Sequence, residues 1–580
     1  MTSPIRSSWL IAACLVIGVL SGPARAFAQA DVPATPAPRS TTPIEKSVPA
    51  GPQLPILVVN IASIDRVLTD VDYMFQAAER PDMMELVTGF IANTIGDLQG
   101  MNREKPFGVM LFLAPGLPPT PTPVVYVPVD GIDELLKIVE AGPIKPRKVD
   151  GKEGHYELDG GGGRRGRFYC VIKKGYAYLT NLDNKHMLDA ELPEPAAIAE
   201  PMAARHDLGV SVLVKNIPIT IRTVLLAFLR QSTEAQLQRR DDEPEAAYKM
   251  RRANGLSTVE FIEQMMTQCE QLQFGIDASQ ERKNVEIELL MDATPDSELA
   301  KHSQTLAGRK SYFSPLFNDA QPLTVSASWS MDKRERKAAA AMVEAMRIGL
   351  AKELPEGTAP SVDPLFDSLK ATAEQGDMDF CVQFQPVSNN QFVFLGGLRL
   401  VGGESFGKGL TQLLTAVQGR EELDKVELNA DTHAGIVFHR LAAKNVPRQE
   451  QRTYGGTPSL YLGTSSQTLW FTVGADQAMP HLKTAIDEIQ TGNATTPGGG
   501  SAYPFQMILH TAPWLNRPDA DDRENARQEF ARKAFGKDSD SLRISVQPTE
   551  TGTRSRAVLD EGFIKLVGML LARWYDESQL

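Results

Sequence analysis

The sequence predicts an α+β protein made of two tandem similar modules, each a mainly antiparallel sheet with helices packed on one face. Three observations carry that expectation. Short runs of alternating apolar and polar residues are joined by turns of a few residues, which antiparallel strands allow and parallel strands do not. Runs of helical periodicity separate them. The same order of elements occurs over residues 54–308 and again over 321–575, and self-similarity of this kind is the first sign of a repeated unit. With 580 residues, 42% apolar and 23% charged, the chain has ordinary globular composition and room for several cores.

Residues 1–30 read as a secretory signal peptide. Arg6 precedes the uninterrupted run Trp9 to Leu20, Ser21-Gly22-Pro23 breaks it, and small residues follow at Ala24, Ala26, Ala28 and Ala30. Cleavage is expected near Ala26 to Ala30. The run is shorter than the roughly 20 residues needed to cross a bilayer, so no transmembrane anchor is expected in the mature chain. Cys14 sits inside the run, where a lipid-attachment cysteine would close it. Residues 31–53, rich in Pro and Thr, form a linker with little to nucleate a core. Export into an oxidising compartment, periplasmic or extracellular, follows.

Each module opens with a strand entering a helix, Ile56 to Ile61 then Ile64-Asp65, and Leu323 to Trp329 then Met331-Asp332, with the aspartate placed to cap the helix. A hairpin feeding a helix comes next, from Phe107 to Val129 and from Phe380 to Val401. A meander follows, including Arg167 to Ile172 with Tyr176 to Thr180, and Ser459 to Leu462 with Leu469 to Val473. Strands from Gly209 and from Gln506, each closed by a proline, then open charge-rich helical excursions at Glu234 to Arg252 and Asp519 to Lys537. Paired strands end each module, Leu272 to Asp277 with Val285 to Leu289, and Leu542 to Gln547 with Ser555 to Leu559. Closing helices follow at Asp296 to Leu306 and Phe563 to Trp574. Period-two alternation in the paired strands implies one face buried and one wet.

Few chemistries remain. Loss of Arg6 and Arg25 with no acid takes the net charge from −12 to −14, and that sign disfavours nucleic acid. The three mature cysteines, Cys170, Cys269 and Cys381, cannot form a closed disulfide framework, and free buried thiols suit their apolar contexts. None of the eight histidines has metal-ligand spacing; His433 and His439 would lie about 20 Å apart on one extended strand. Asp241-Asp242-Glu243 and Asp519 to Asp522 lack the ligand order of a calcium loop.

Gly161 to Gly166 satisfies G-x-G-x-x-G, but a strand follows where a dinucleotide site needs a helix. It reads as a hairpin tip whose Arg164, Arg165 and Arg167 are candidate anion contacts. Gly403-Glu404-Ser405-Phe406-Gly407 matches the nucleophile elbow of serine hydrolases, which makes Ser405 a candidate catalytic residue. An ordinary strand-to-helix turn explains the same residues, because the elbow belongs to a parallel sheet and these strands read as hairpins.

In its signal, Pro-rich leader and duplicated α+β units, the mature chain resembles the uncharacterised exported proteins of planctomycete-type bacteria. The resemblance is organisational and implies no functional residues. The expected function is an exported, non-enzymatic binding, scaffold or interaction protein of the cell envelope with no metal or cofactor. Its partner would be an envelope protein, a polymer or a hydrophobic ligand. Hydrolysis at Ser405 ranks second.

Overall fold

Backbone pairing organises the chain into one antiparallel sheet of 20 strands accompanied by 17 helices among the described residues. The computed structural model describes residues 54–95, 98–114, 119–141, 144–160, 166–355, 357–388, 391–492, 503–515, 522–536 and 539–578. The signal peptide, the linker, Arg164 and Arg165 lie outside these residues.

The strands up to residue 293 are β1 Leu57–Ile61, β2 Phe107–Ala114, β3 Thr120–Pro128, β4 Lys145–Lys148, β5 His155–Asp159, β6 Arg167–Lys173, β7 Tyr176–Asn181, β8 Leu208–Val212, β9 Cys269–Ser279 and β10 Asn284–Ala293. After it come β11 Leu323–Ser330, β12 Asp377–Ser388, β13 Gln391–Arg399, β14 Leu423–His433, β15 Ile436–Ala443, β16 Ser459–Thr464, β17 Thr468–Gly474, β18 Phe505–His510, β19 Ser541–Pro548 and β20 Gly552–Asp560. Hydrogen bonding places the first ten in the order β4-β5-β6-β7-β3-β2-β1-β8-β9-β10. The second ten run β14-β15-β16-β17-β13-β12-β11-β18-β19-β20. The last strands of the two series, β10 and β20, pair antiparallel from Asn284 opposite Asp560 to Asp292 opposite Gly552.

The principal helices are α1 Ile64–Ala77, α2 Asp82–Ile95, α3 Ile219–Gln236, α4 Glu245–Gln268, α5 Glu298–Leu306, α6 Lys333–Glu353, α7 Asp363–Gln375, α8 Gly403–Ala416, α9 Ala478–Thr491 and α10 Glu561–Ser578. Asp332 caps α6 in a capping box with Glu335, as its position suggests. In α1 the cap is Ser63, whose hydroxyl accepts from the Arg66 N–H at 3.1 Å, because Asp65 already lies within the first turn.

Helices lie on both faces of the sheet, a correction to the one-face expectation. On β12 the consecutive residues Phe380, Cys381 and Val382 are all buried. Phe380 and Val382 join a core with α6, α7 and α8; Cys381 points the other way into a second core with α9. A strand buried on both faces has no polar side to alternate with its apolar one. The excursion after β8 is also longer than its charges suggest: it comprises α3 and α4, and α3 begins with the apolar sequence Ile219 to Leu229. The closing helix α10 docks through Ile564, Gly568 and Ala572, yet a second stripe, Val567, Leu570, Leu571 and Trp574, faces outward. Among the described residues no helix is long and apolar enough to cross a membrane.

Candidate functional site

Where β10 meets β20, the carboxylates on one face of the sheet are buried against half-buried arginines, and the apolar residues of the other face are left half open. In register across β1, β8, β9, β10, β20, β19, β18 and β11 run Ile61, Leu208, Ile276, Ile287, Ala557, Ile544, Met507 and Val325. All of these are half-buried. At about 4.8 Å per strand the row spans roughly 34 Å. The next row carries Val59, Val210, Phe274, Leu289, Ser555, Val546 and Phe505, and Leu289 is 45% exposed. The backbone of these strands is paired within the sheet, so the face offers a ligand only apolar surface.

Two helices flank this face. At one side Met265 and Met266 of α4 pack with Leu272 and Met291. At the other Val343 and Met346 of α6 pack in the core that holds Val325 and Phe505. The helices also meet each other: the Arg334 guanidinium lies 4.9 Å from the Phe261 ring centroid and donates to Ser257 Oγ at 3.3 Å. The strands between the flanks, β20 and β19, keep their apolar residues half-buried. Helix α3, which leads into α4, has no buried residue, and its Phe228 is 69% exposed.

The opposite face of the same strands carries Asn60, Gly209, Gly275, Glu288, Arg556, Ser545, Gln506 and Ser326 in one row. Glycines at two of these positions let the covering segment approach. A Cβ on Gly275 would lie 2.4 Å from the His206 ring, and one on Gly209 would lie 1.9 Å from Met202 Sδ. Under this cover the charges are paired. Arg66 of α1 reaches Asp207 and Asp277, each at 2.5 Å, and Arg282 also binds Asp277. Glu286 pairs with Arg556, while Glu288, 7% exposed, meets Arg554 at 3.3 Å, His206 at 3.5 Å and Arg205 at 3.6 Å. Burial and the neighbouring Asp207 carboxylate push Asp70 up to about 7, and burial also raises Asp207. The belt joins the two series of strands by ion pairs; its side chains are engaged with one another.

Ser405 lies exposed in the first turn of α8, after Gly402 in the left-handed conformation at φ 70°. Among the described residues, none of the histidine hydrogen bonds found reaches it. His439 contacts Thr411 Oγ1 at 3.3 Å and accepts from the Asn429 N–H; His433 meets Asp487, His481 meets Gln385, and His510 meets Asp540. The preceding strand, β13, is antiparallel to both neighbours, so the parallel-sheet setting of a nucleophile elbow is lacking. His433 and His439 occupy opposite strands of the β14–β15 hairpin, because Ala434 and Gly435 turn the chain there. Arg167 begins β6 and pairs with Asp159 at 3.4 Å. Cys170, Cys269 and Cys381 are free and buried, and burial pushes the Cys170 and Cys269 thiols up to about 12.

Elsewhere, a cavity of about 570 Å³ beside β6 and β7 mixes Leu54, Val171 and Tyr178 with Lys173, Lys174 and Glu191. Another, of about 370 Å³, lies between β12, α9 and residues 315–321 and is lined largely by amides.

Sequence reasoning missed the open face because alternation tells which residues share a face and leaves open which face is wet. One signal was legible. Glu286-x-Glu288 and Arg554-x-Arg556 occupy the last hairpin strand of each series, with complementary charge, and opposite charges stabilise strands that bring them face to face. No protein-family model matches the chain, and no curated protein or solved structure is similar to it.

Proposed function

We propose that the protein is an exported, non-enzymatic binding protein of the cell envelope whose ligand is a long-chain lipid, held by its acyl chain on the open apolar face. The observation that carries this reading is the inverted sheet: charged residues buried on one side, and a half-buried row from Ile61 to Val325 on the other. Leaving that much apolar area in water is unfavourable by about 25 cal/mol per Å², so an occupant is expected. The shape selects a chain-like molecule. The joined helices α4 and α6 flank the face, so a broad protein surface is obstructed, whereas an extended chain can lie along it. One bilayer leaflet is about 15 Å deep in hydrocarbon, and the row of roughly 34 Å has length to spare for an acyl chain.

The reading includes a duplication of residues 54–308 as 321–575. The identical strand order of the two series supports it, as does the antiparallel union of their last strands, since equivalent strands pair this way about a two-fold axis. The lipid site then belongs to neither module alone. The signal-like N-terminus supports export.

The test is titration of the purified mature chain with a fluorescent eighteen-carbon fatty acid, together with native mass spectrometry for co-purified lipid. Saturable binding that Leu289→Glu weakens at least tenfold, with an unchanged melting curve, is the expected result. No binding and no retained lipid would refute the reading.

A further inference from the structure

We propose that the amide-lined cavity between β12 and α9 is a second binding site, specific to the C-terminal half, for a neutral sugar ring. Its volume of about 370 Å³ falls within the range of small-molecule sites. Five amides, including Gln321, Gln383, Gln385 and Gln477, line it with His481, Thr484 and one carboxylate, Glu488, and no lysine or arginine is among the lining residues. Anions therefore lack a cationic partner there, and a lipid chain lacks apolar walls.

The polar groups form a chain with capacity left over. Gln383, 1% exposed, donates to the Leu316 carbonyl. Gln385 Nε2 donates to Gln383 Oε1 at 2.9 Å, and Gln385 Oε1 accepts from His481 Nδ1 at 2.7 Å. That acceptor places the histidine proton on Nδ1 and leaves Nε2 as an acceptor. Burial lowers the His481 pKa, which favours the neutral ring that this arrangement needs. Gln385 keeps a second amide N–H, and Gln321 Oε1 is buried with no hydrogen-bond partner. Amide donors and acceptors side by side, with the Glu488 carboxylate as a further acceptor group in the lining, match hydroxyl groups, which both give and accept.

The site is not a by-product of the strand pattern. On β2, the residues pointing to the same side of the sheet are Met110 and Phe112, both fully buried in an apolar core. On β12 that side carries Cys381, Gln383 and Gln385, and burying the two amides would be costly without partners.

Calorimetric titration of the mature chain with glucose and with N-acetylglucosamine tests this. Saturable binding of either sugar is expected, with at least tenfold loss in Gln385→Leu and in the surface variant Gln477→Ala, while fatty-acid binding is unchanged. Failure of both sugars to bind the parent protein overturns the proposal. So does sugar binding that survives both substitutions, or occupancy by an acetylated dipeptide amide in place of the sugars. Because the fatty-acid probe reports a different face, the two sites can fail independently.

Discussion

The flank of the sheet at β12, β13 and β17 and its centre at β9, β10, β20 and β19 use the same antiparallel ladder for opposite ends. At the flank, apolar residues fill both faces: Phe471 and Leu398 pack under α8, and Trp470 and Leu395 under α9. At the centre, one face is mainly apolar and remains half open, while the other holds Asp207, Asp277, Glu286 and Glu288 alongside Leu290 and Val558. Burial at the flank stabilises the fold, whereas the centre leaves apolar surface partly in contact with water.

The sharpest test of that contrast is truncation on each side. Phe471→Ala should cost about 3 to 5 kcal/mol, because Phe471 is enclosed and its ring packs at a 47° tilt against Phe394 at 5.6 Å, leaving a cavity on removal. Leu289→Ala should cost under about 1 kcal/mol, since Leu289 is already 45% exposed. Urea denaturation measures both. Equal losses would mean that the centre is a packed core like the flank.

Next in size is the buried belt. Glu288→Ala removes the acceptor shared by Arg205, His206 and Arg554 and should destabilise by about 2 kcal/mol, tempered by the partial exposure of the arginines. The compound variant in which Arg554 is also changed to Met should recover part of the loss, because the orphaned cation is gone. A loss in the single variant that the second change leaves untouched would show that packing, and not charge pairing, closes this face.

Ligand-linked stability is of comparable size. Fatty acid at a hundred times its dissociation constant should raise the stability of the parent protein by about 2.7 kcal/mol and that of Leu289→Glu by much less. A comparable rise in both variants would place the ligand away from the centre.

Much of the architecture was legible in the sequence. Alternation and short turns located β1, β2, β8, β9, β10 and their counterparts, because each such strand is an amphipathic run bounded by turn residues. The strands β4, Lys145–Lys148, and β14, Leu423–His433, escaped notice, since edge strands rich in charge carry little alternation. The open face escaped for another reason. In Val285 to Leu289 the alternation of Glu and Ile is plain, and only tertiary packing decides which set meets water. The cavity residue His481 is 96 positions from Gln385, so no local pattern links them.

The smallest expected effect concerns Asp70 and shows whether the belt is held by charge alone. Asp70 stands beside Asp207, near Arg66 and Asp277, and its Oδ2 has no partner unless a proton is present. Its folded pKa of about 7 lies above the ordinary aspartate value of 3.8, so the native state holds a proton that the unfolded chain releases across that interval. The stabilising contribution is complete below about pH 4 and is lost as pH rises through 7. Asp70→Asn supplies an N–H to Asp207 at every pH. Its melting temperature should match the parent near pH 4 and exceed it at pH 8, by an amount corresponding to roughly 1 kcal/mol once partial solvent exposure is allowed for. Thermal melts from pH 4 to 8 decide it: curves that stay parallel would mean that Arg66 alone neutralises the cluster, and that the two carboxylates share no proton.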